Sequence, residues 1–195
     1  MVSWGKIVRG AVAIAAAAAL VSGCNSGNEG DPEPSGASGT SAAPVPGYDP
    51  CTQIPQSALD SLQLHSKMPT ENNPGQGFEW LGCEWVRSTY YAANIQVTNA
   101  TVDQVKAQST AANPVFTVRD VKEFTVAGRR AIASHQAPDH PDQQCTVNVD
   151  IQGGSLEFFL EKERGPGQGG GGDLDICDMA RDVAEKVVPT LPAGT

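Results

Sequence analysis

The fold of this chain is decided by the run Cys145-Thr146-Val147-Asn148-Val149-Asp150-Ile151, which is followed by Gln152, by the pair Gly153-Gly154 and then by a second strand-like run from Ser155 to Glu161. In the first run apolar and polar side chains alternate strictly, which is typical of a β-strand with one buried face. A glycine pair between two such runs predicts a tight turn and an antiparallel hairpin. Cys145 then lies on the buried face of its strand.

Further strand and helix patterns flank this hairpin. Strands are predicted at 82–87, 91–98, 124–126 and 130–134, and helices at 55–64 and 101–108. Thr101, three residues before Gln104, is expected to cap the second of these helices. A last helix is predicted near the C-terminus, where one side collects Ile176, Ala180, Val183, Ala184 and Val187. Antiparallel strands with flanking helices, one of them C-terminal, predict a single α+β domain.

The predicted domain contains four cysteines, which allow three disulfide connectivities. An even set without C-x-x-C spacing favours disulfides over metal thiolates in an oxidising compartment. We favour Cys51–Cys83 with Cys145–Cys177, because a bridge from the buried face of the Cys145 strand to the apolar edge of the last helix would fix that helix on the sheet. Each pair closes a loop of about 33 residues, worth roughly 3–4 kcal/mol in the chain-entropy model.

The N-terminus has the layout of a secretory signal. Lys6 and Arg9 precede an uninterrupted apolar stretch, 11–21, which is followed by Ser22-Gly23-Cys24. Eleven residues rise only about 16 Å as a helix, too short for the roughly 30 Å hydrocarbon core. A branched apolar residue, two small residues and a cysteine resemble a bacterial lipobox. We therefore expect cleavage before Cys24 and attachment of a diacylglyceryl group to its sulfur as a thioether, with fatty acyl chains such as palmitate that anchor a protein firmly.

Three segments follow from this reading. Residues 1–23 are the lipoprotein signal peptide, 24–47 hold the lipidated cysteine and a flexible tether rich in Gly, Ser and Pro, and 48–195 form the α+β domain. We expect the protein at the cell membrane, lipid-anchored on the extracytoplasmic face.

The charge of the chain argues against a nucleic-acid partner. The formal net charge is −9, and removal of the signal peptide takes away two of the 13 basic residues and none of the 22 acidic ones, which leaves −11. Phosphate backbones require the opposite sign. The expected partners are the membrane, through the anchor at Cys24, and an envelope protein or apolar ligand.

The sequence contains few candidate catalytic, metal-binding or recognition residues. His135 and His140 lie near Asp139 and Asp142, but the prolines between them break the helical geometry that makes paired histidines effective metal ligands. No catalytic residue, metal site or cofactor is predicted. Trp80, between two glycines, is the candidate for an exposed recognition residue.

An ordered set of motifs resembles a known family. The set consists of the lipobox and tether, Asp49-Pro50-Cys51, Cys83-Glu84-Trp85, and the Cys177 helix running into Val188-Pro189-Thr190-Leu191-Pro192. It resembles the actinobacterial lipoproteins grouped as domain-of-unknown-function family 3558 (DUF3558). The resemblance implies a cell-envelope lipoprotein and no established activity.

Two hypotheses about function follow. The first is a non-enzymatic, membrane-anchored envelope protein that binds a partner or an apolar ligand, and it predicts an exposed apolar patch or a cavity. The alternative is a hydrolase or metal-dependent enzyme, and it predicts that His135, His140 and an acid converge in a cleft. The sequence favours the first.

Overall fold

The computed structural model describes residues 46–70, 77–87, 90–136, 141–162 and 175–195. The predicted signal peptide, the lipobox, most of the tether and His140 lie outside these residues. The elements of the described residues, in chain order, are α1 (Pro50–Gln53), α2 (Gln56–Ser61), β1 (His65–Pro69), β2 (Trp80–Arg87), β3 (Tyr91–Thr98), α3 (Val102–Gln108), β4 (Arg119–Val126), β5 (Arg129–His135), β6 (Gln144–Ile151), β7 (Gly154–Lys162), α4 (Ile176–Val187) and a 3₁₀ turn (Val188–Thr190). None of the described helices is long and apolar enough to span a bilayer.

The seven strands form one sheet in the order β1-β2-β3-β7-β6-β5-β4. Every neighbouring pair is antiparallel. The last strand, β7, lies in the middle, because it pairs with β3 on one side and with β6 on the other. The predicted α+β fold is confirmed. The helix α1 and the strand β1 lie where the sequence predicts no element, and β4 is longer than the predicted strand 124–126.

One face of the sheet, here called the helix-covered face, packs against α1, α2 and α4. Its centre is built by odd-numbered residues of β6 such as Val147 and Val149, both fully buried. The apolar side of α4 is buried on β6 and β7, as the periodicity predicts. Two disulfides join helices to this face, Cys51–Cys83 from α1 to β2 and Cys145–Cys177 from β6 to α4. These are the two pairs expected from the sequence.

The opposite face, here called the polar face, is covered by α3 only over β5 and β6. A second, smaller core lies under α3. Its buried members are Ala100, Val102, Val105, Val118 and Ile132. The predicted capping box is present, since Thr101 Oγ1 accepts from the Gln104 amide and Gln104 Oε1 accepts from the Thr101 amide. Over β2, β3 and β7 none of the described helices covers the polar face, and side chains of these strands meet Phe116 from the segment between α3 and β4.

The central hairpin differs in register from the prediction. The turn residues are Gln152-Gly153, and Gly154 already pairs with Ile151. Gly153 has a φ of +88°, which favours glycine, whereas Gly154 belongs to β7 and faces the backbone of β3. A Cβ atom at Gly154 would lie 1.9 Å from the Thr98 carbonyl oxygen. The two glycines therefore have different roles, and the predicted Gly153-Gly154 turn is wrong by one residue.

Candidate functional site

The polar face carries a cleft at the place where α3 does not cover it. Its volume is about 350 Å³, at the small end of the roughly 300–1,000 Å³ typical of small-molecule sites. We call it the Glu157 cleft and define it by its lining residues, which are Thr70, Trp80, Asn94, Gln96, Phe116, Gln136, Glu157 and Phe159. Three of the strands that form it, β2, β3 and β7, are neighbours in the sheet.

The register of the sheet brings polar side chains together beside this cleft. Glu157 of β7 lies directly opposite Asn148 of β6 on one side and Gln96 of β3 on the other. Directly opposed residues in antiparallel strands point to the same face, so the three side chains form a row across the middle of the sheet. A polar row at the centre of a sheet costs stability unless its members are hydrogen-bonded.

Glu157 is the centre of this row and is only 4% exposed. Its Oε1 atom accepts a hydrogen bond from Gln96 Nε2 at 2.9 Å. Its Oε2 atom accepts from Asn148 Nδ2 at 3.0 Å and from the Trp80 indole nitrogen at 3.4 Å. All three donors are neutral groups. The carboxylate is thus held in place by hydrogen bonds without a positively charged partner among them.

Aromatic rings form one wall of the cleft. The rings of Trp80 and Phe116 meet edge to face with centroids 5.7 Å apart. Phe78 packs behind them, 5.9 Å from Phe116 and 6.4 Å from Trp80. Such tilted contacts between rings are favourable and hold the rings in place. The wall therefore presents a fixed apolar and π-rich surface next to the Glu157 carboxylate.

Glycine shapes the side of the cleft formed by β2. Gly82 lies opposite Gln96, and a Cβ atom at Gly82 would be 2.2 Å from the Ile95 carbonyl oxygen and 2.5 Å from the Gln96 Cα atom. Real Cβ atoms do not approach backbone this closely, so β2 lies against β3 only because this residue is glycine. The close approach keeps Trp80, two residues earlier, within reach of Glu157.

Several buried polar atoms on this face have no hydrogen-bond partner among the described residues. They include Thr70 Oγ1 in the cleft and Asn148 Oδ1 beside it. Ser134 Oγ and Thr146 Oγ1 are in the same condition on the neighbouring strands. Native proteins contain few such atoms, and each one indicates either a cost in stability or a group that is satisfied by something other than the protein.

Basic side chains on the polar face are paired elsewhere. Arg130 of β5 is bound to Asp103 of α3 at 2.6 Å, and Lys106 of α3 is bound to Glu123 of β4. These hydrogen bonds hold the pKa values of Asp103 and Glu123 below their usual ranges. The described residues that line the cleft include no Lys or Arg.

The histidine predicted as a candidate metal ligand lies elsewhere. His135 is on the helix-covered face, where its Nδ1 atom donates to the Gln144 carbonyl oxygen at 2.9 Å and its Nε2 atom lies 3.7 Å from Cys177 Sγ. One nitrogen of His135 and the sulfurs of Cys145 and Cys177 lie within 4.8 Å of one another. Both sulfurs are held in a disulfide and so offer no thiolate to a metal. His140 lies outside the described residues.

Trp80 is half-buried in the cleft wall, so it is less exposed than the sequence suggests. Trp85 is 2% exposed on the helix-covered face, as its alternation with Cys83 predicts. Sequence reasoning missed Glu157. A signal was available, because residues that pair across a hairpin have a constant sum of residue numbers, and the correct turn at Gln152-Gly153 places Asn148 opposite Glu157.

A larger depression of about 710 Å³ lies between α1, α2 and β1 on the other side of the molecule. Its charged lining residue, Lys67, is exposed and donates to the Cys51 carbonyl oxygen at 3.0 Å. It contains no buried charged side chain among its lining residues. The Glu157 cleft, which has one, is therefore the better candidate site.

Comparison with known proteins gives one match. The sequence model of a family described as "Protein of unknown function (DUF3558)" matches residues 19–190. No curated protein and no solved structure matches the chain.

Proposed function

This chain belongs to the family of proteins of unknown function DUF3558, and from that premise we propose that it is a lipid-anchored protein of the cell envelope whose Glu157 cleft binds a small ligand. The proposal has two parts, the anchor and the binding site, and each has its own support and its own test.

The anchor is supported by the sequence around Cys24. The apolar stretch 11–21 and the residues Ser22-Gly23 provide what a lipoprotein signal peptidase needs next to a cysteine that accepts a lipid. Two disulfides in the folded domain agree with export, because disulfides persist in oxidising compartments. The net charge of −11 after cleavage keeps the domain soluble at the membrane surface.

The binding site is supported above all by one observation, the buried Glu157 carboxylate that has only neutral donors around it. A buried charge without an opposite charge costs stability. Apolar side chains in place of Glu157 and Asn148 would avoid that cost. Polar groups that cost stability and converge on a cleft are characteristic of binding sites.

The hydrolase or metal-enzyme alternative receives no comparable support. It depends on His135 and His140 meeting in a cleft. His135 packs against the Cys145–Cys177 disulfide on the face opposite the Glu157 cleft, and His140 lies outside the described residues. We therefore propose binding and not catalysis.

Metabolic labelling tests the anchor. Cells expressing the full chain are grown with an alkyne analogue of palmitate, and label in the purified protein is measured by in-gel fluorescence. Label is expected in the wild type and in the control Ser22→Ala, which keeps a small residue before the cysteine. Cys24→Ala should carry no label, and label that persists in this variant would overturn the proposed anchor.

Thermal unfolding tests the binding site. The full chain, purified in detergent, is screened with small organic cations, anions and neutral compounds. At least one compound should raise the midpoint of the wild type. The rise should be lost in Trp80→Ala and kept in Tyr90→Ala, a control that removes an exposed aromatic ring outside the cleft. If no compound of any charge gives a Trp80-dependent rise, the cleft is not a ligand site.

A further inference from the structure

We propose that the ligand of the Glu157 cleft is a protonated alkylamine, whose ammonium group binds the Glu157 carboxylate and whose alkyl part lies against the aromatic wall. This inference rests on the proposed binding function and goes further, because it names the chemical class of the ligand.

The described groups that bond to Glu157 leave its negative charge uncompensated. Glu157 is nine-tenths or more buried, and the three groups that donate to it are an indole and two amides. Neutral donors satisfy hydrogen-bonding capacity but leave the charge of a carboxylate uncompensated. The basic residues Arg130 and Lys106 of the polar face are bound to the acidic residues Asp103 and Glu123. A cation is therefore the complement that this cleft lacks among its described residues.

The Glu157 carboxylate also has acceptor capacity that the described residues do not use. An ionised carboxylate has about four acceptor sites, and the described residues supply two donors to Oε2 and one to Oε1. Oε1 therefore has capacity for one more donor. Thr70 Oγ1 is a second acceptor in the same cleft without a partner among the described residues. An ammonium group brings three N–H donors, so an amine suits these acceptors better than a quaternary ammonium, which has none.

The aromatic wall of the cleft suits a cation that carries an alkyl chain. Trp80 and Phe116 present fixed rings beside the carboxylate, and Phe159 lines the cleft from β7, two residues from Glu157. The faces of aromatic rings attract cations, Trp most strongly. The same rings provide apolar contact for an alkyl chain. A carboxylate beside aromatic rings therefore favours a ligand with a positively charged group attached to an alkyl chain.

Isothermal titration calorimetry of the full chain tests this class. The probes are n-butylammonium, 1-butanol and butyrate, which share a four-carbon chain and differ in charge, together with tetramethylammonium, which is a cation without N–H. We expect n-butylammonium to bind at least tenfold more tightly than 1-butanol, butyrate or tetramethylammonium at pH 7.

The decisive variant is Glu157→Gln, which keeps the size of the side chain and removes its charge. It should weaken n-butylammonium binding at least tenfold and change 1-butanol binding less than twofold. Glu161→Gln is the matched control, because Glu161 is an acid on the same strand and the same face outside the cleft lining. This control should change n-butylammonium binding less than twofold. Circular dichroism establishes that both variants are folded.

The outcomes separate this inference from the proposed function. If the neutral or anionic probe binds in a Trp80-dependent manner and n-butylammonium binds no better, the amine class is wrong while the cleft remains a binding site. Equal n-butylammonium binding by the wild type and Glu157→Gln also overturns the inference. If no compound of the wider screen binds, the proposed function fails, and this inference fails with it.

Discussion

Cys177 in the first turn of α4 is joined to Cys145 of β6 by a disulfide with a Cα–Cα distance of 5.1 Å. Asp175 caps this helix by accepting a hydrogen bond from the Cys177 amide at 2.7 Å. The other disulfide repeats the arrangement, since Cys51 lies in the first turn of α1, and Asp49 accepts from its amide at 2.9 Å. Both helices thus begin with an Asp cap and are fixed to the sheet two residues later.

Removing either disulfide should lower stability by a similar amount. Both bridges have a sequence separation of 32, so the chain-entropy model assigns each of them roughly 3–4 kcal/mol. The double variants Cys145→Ala/Cys177→Ala and Cys51→Ala/Cys83→Ala should each lose about this free energy of unfolding in urea titrations. A difference of more than about 1.5 kcal/mol between them would show that contacts of the helices, and not loop closure, set the effect.

Gly82→Ala should both destabilise the sheet and weaken ligand binding in the Glu157 cleft. The added Cβ atom would lie 2.2 Å from the Ile95 carbonyl oxygen and 2.5 Å from the Gln96 Cα atom. These are backbone atoms, so no change of side-chain rotamer can relieve the clash. We expect a loss of about 3 kcal/mol in free energy of unfolding, because overpacking forces β2 away from β3. Ligand binding should weaken too, since Trp80 moves with β2.

Gly47→Ala is the control for this substitution. No atom lies within 4 Å of a Cβ built at Gly47, so its free energy of unfolding should change by less than about 0.5 kcal/mol. The clash at Gly82 would be refuted if the two variants unfolded at the same urea concentration.

The sequence predicts the elements best where local signals agree with the tertiary structure. The alternation in 91–98 gives β3 with its observed bounds, and the apolar periodicity of 176–187 gives α4 with its buried side. In both segments the side chains that should be buried are buried. Local pattern is sufficient there because one face of each element packs on a single core.

The cleft could not be predicted in the same way. Glu157 lies on a strand whose neighbours β3 and β6 are far from each other in sequence, so its partners Gln96 and Asn148 are known only once the strand order is known. The one-residue error at Gly153-Gly154 also placed Phe159 opposite Asn148 in the predicted hairpin. A single step in register changes every cross-strand pair, so the predicted hairpin does not pair Glu157 with Asn148 and does not contain the polar row.

The edge strand β1 was not predicted, because it too depends on its partner strand and not on a local sequence pattern. β1 (His65–Pro69) is exposed along its whole length and includes Ser66 at a φ of +59°, so it has neither alternation nor a regular strand backbone. It pairs with β2 at the sheet edge through a bulge. Such a strand depends on its hydrogen bonds to the neighbouring strand more than on the burial of its own side chains. Its sequence therefore has no clear strand pattern.

Thr101→Ala should remove about 1 kcal/mol of stability through the start of α3. The Thr101 hydroxyl accepts from the Gln104 amide at 3.2 Å, and loss of an N-cap leaves that amide without its partner. Equilibrium unfolding in urea measures the change. Thr110→Ala is the control, because its hydroxyl makes one long bond of 3.4 Å to the Ala107 carbonyl oxygen after the helix. Equal losses in both variants would contradict a capping role for Thr101.

Tyr48 should make the domain lose stability in alkali. This side chain is 6% exposed, and its hydroxyl has no partner among the described residues. Burial, with a smaller effect of the Asp49 charge, raises the pKa of Tyr48 from 10.0 to about 12. Between these values the unfolded chain releases the phenol proton while the folded chain keeps it, so the unfolded state binds fewer protons and stability falls as pH rises.

Tyr48→Phe removes this titration and the unpartnered hydroxyl together. At pH 8 the variant should equal or exceed the wild type in free energy of unfolding, because no hydrogen bond is lost and a desolvated polar group is removed. From pH 9 to 12 the wild type should lose up to about 2 kcal/mol relative to the variant, measured by urea unfolding with short exposure to alkali. Tyr90→Phe, which changes a tyrosine that is 39% exposed, should keep the pH dependence of the wild type. If Tyr48→Phe retained that dependence as well, another group would be responsible for the alkaline loss of stability.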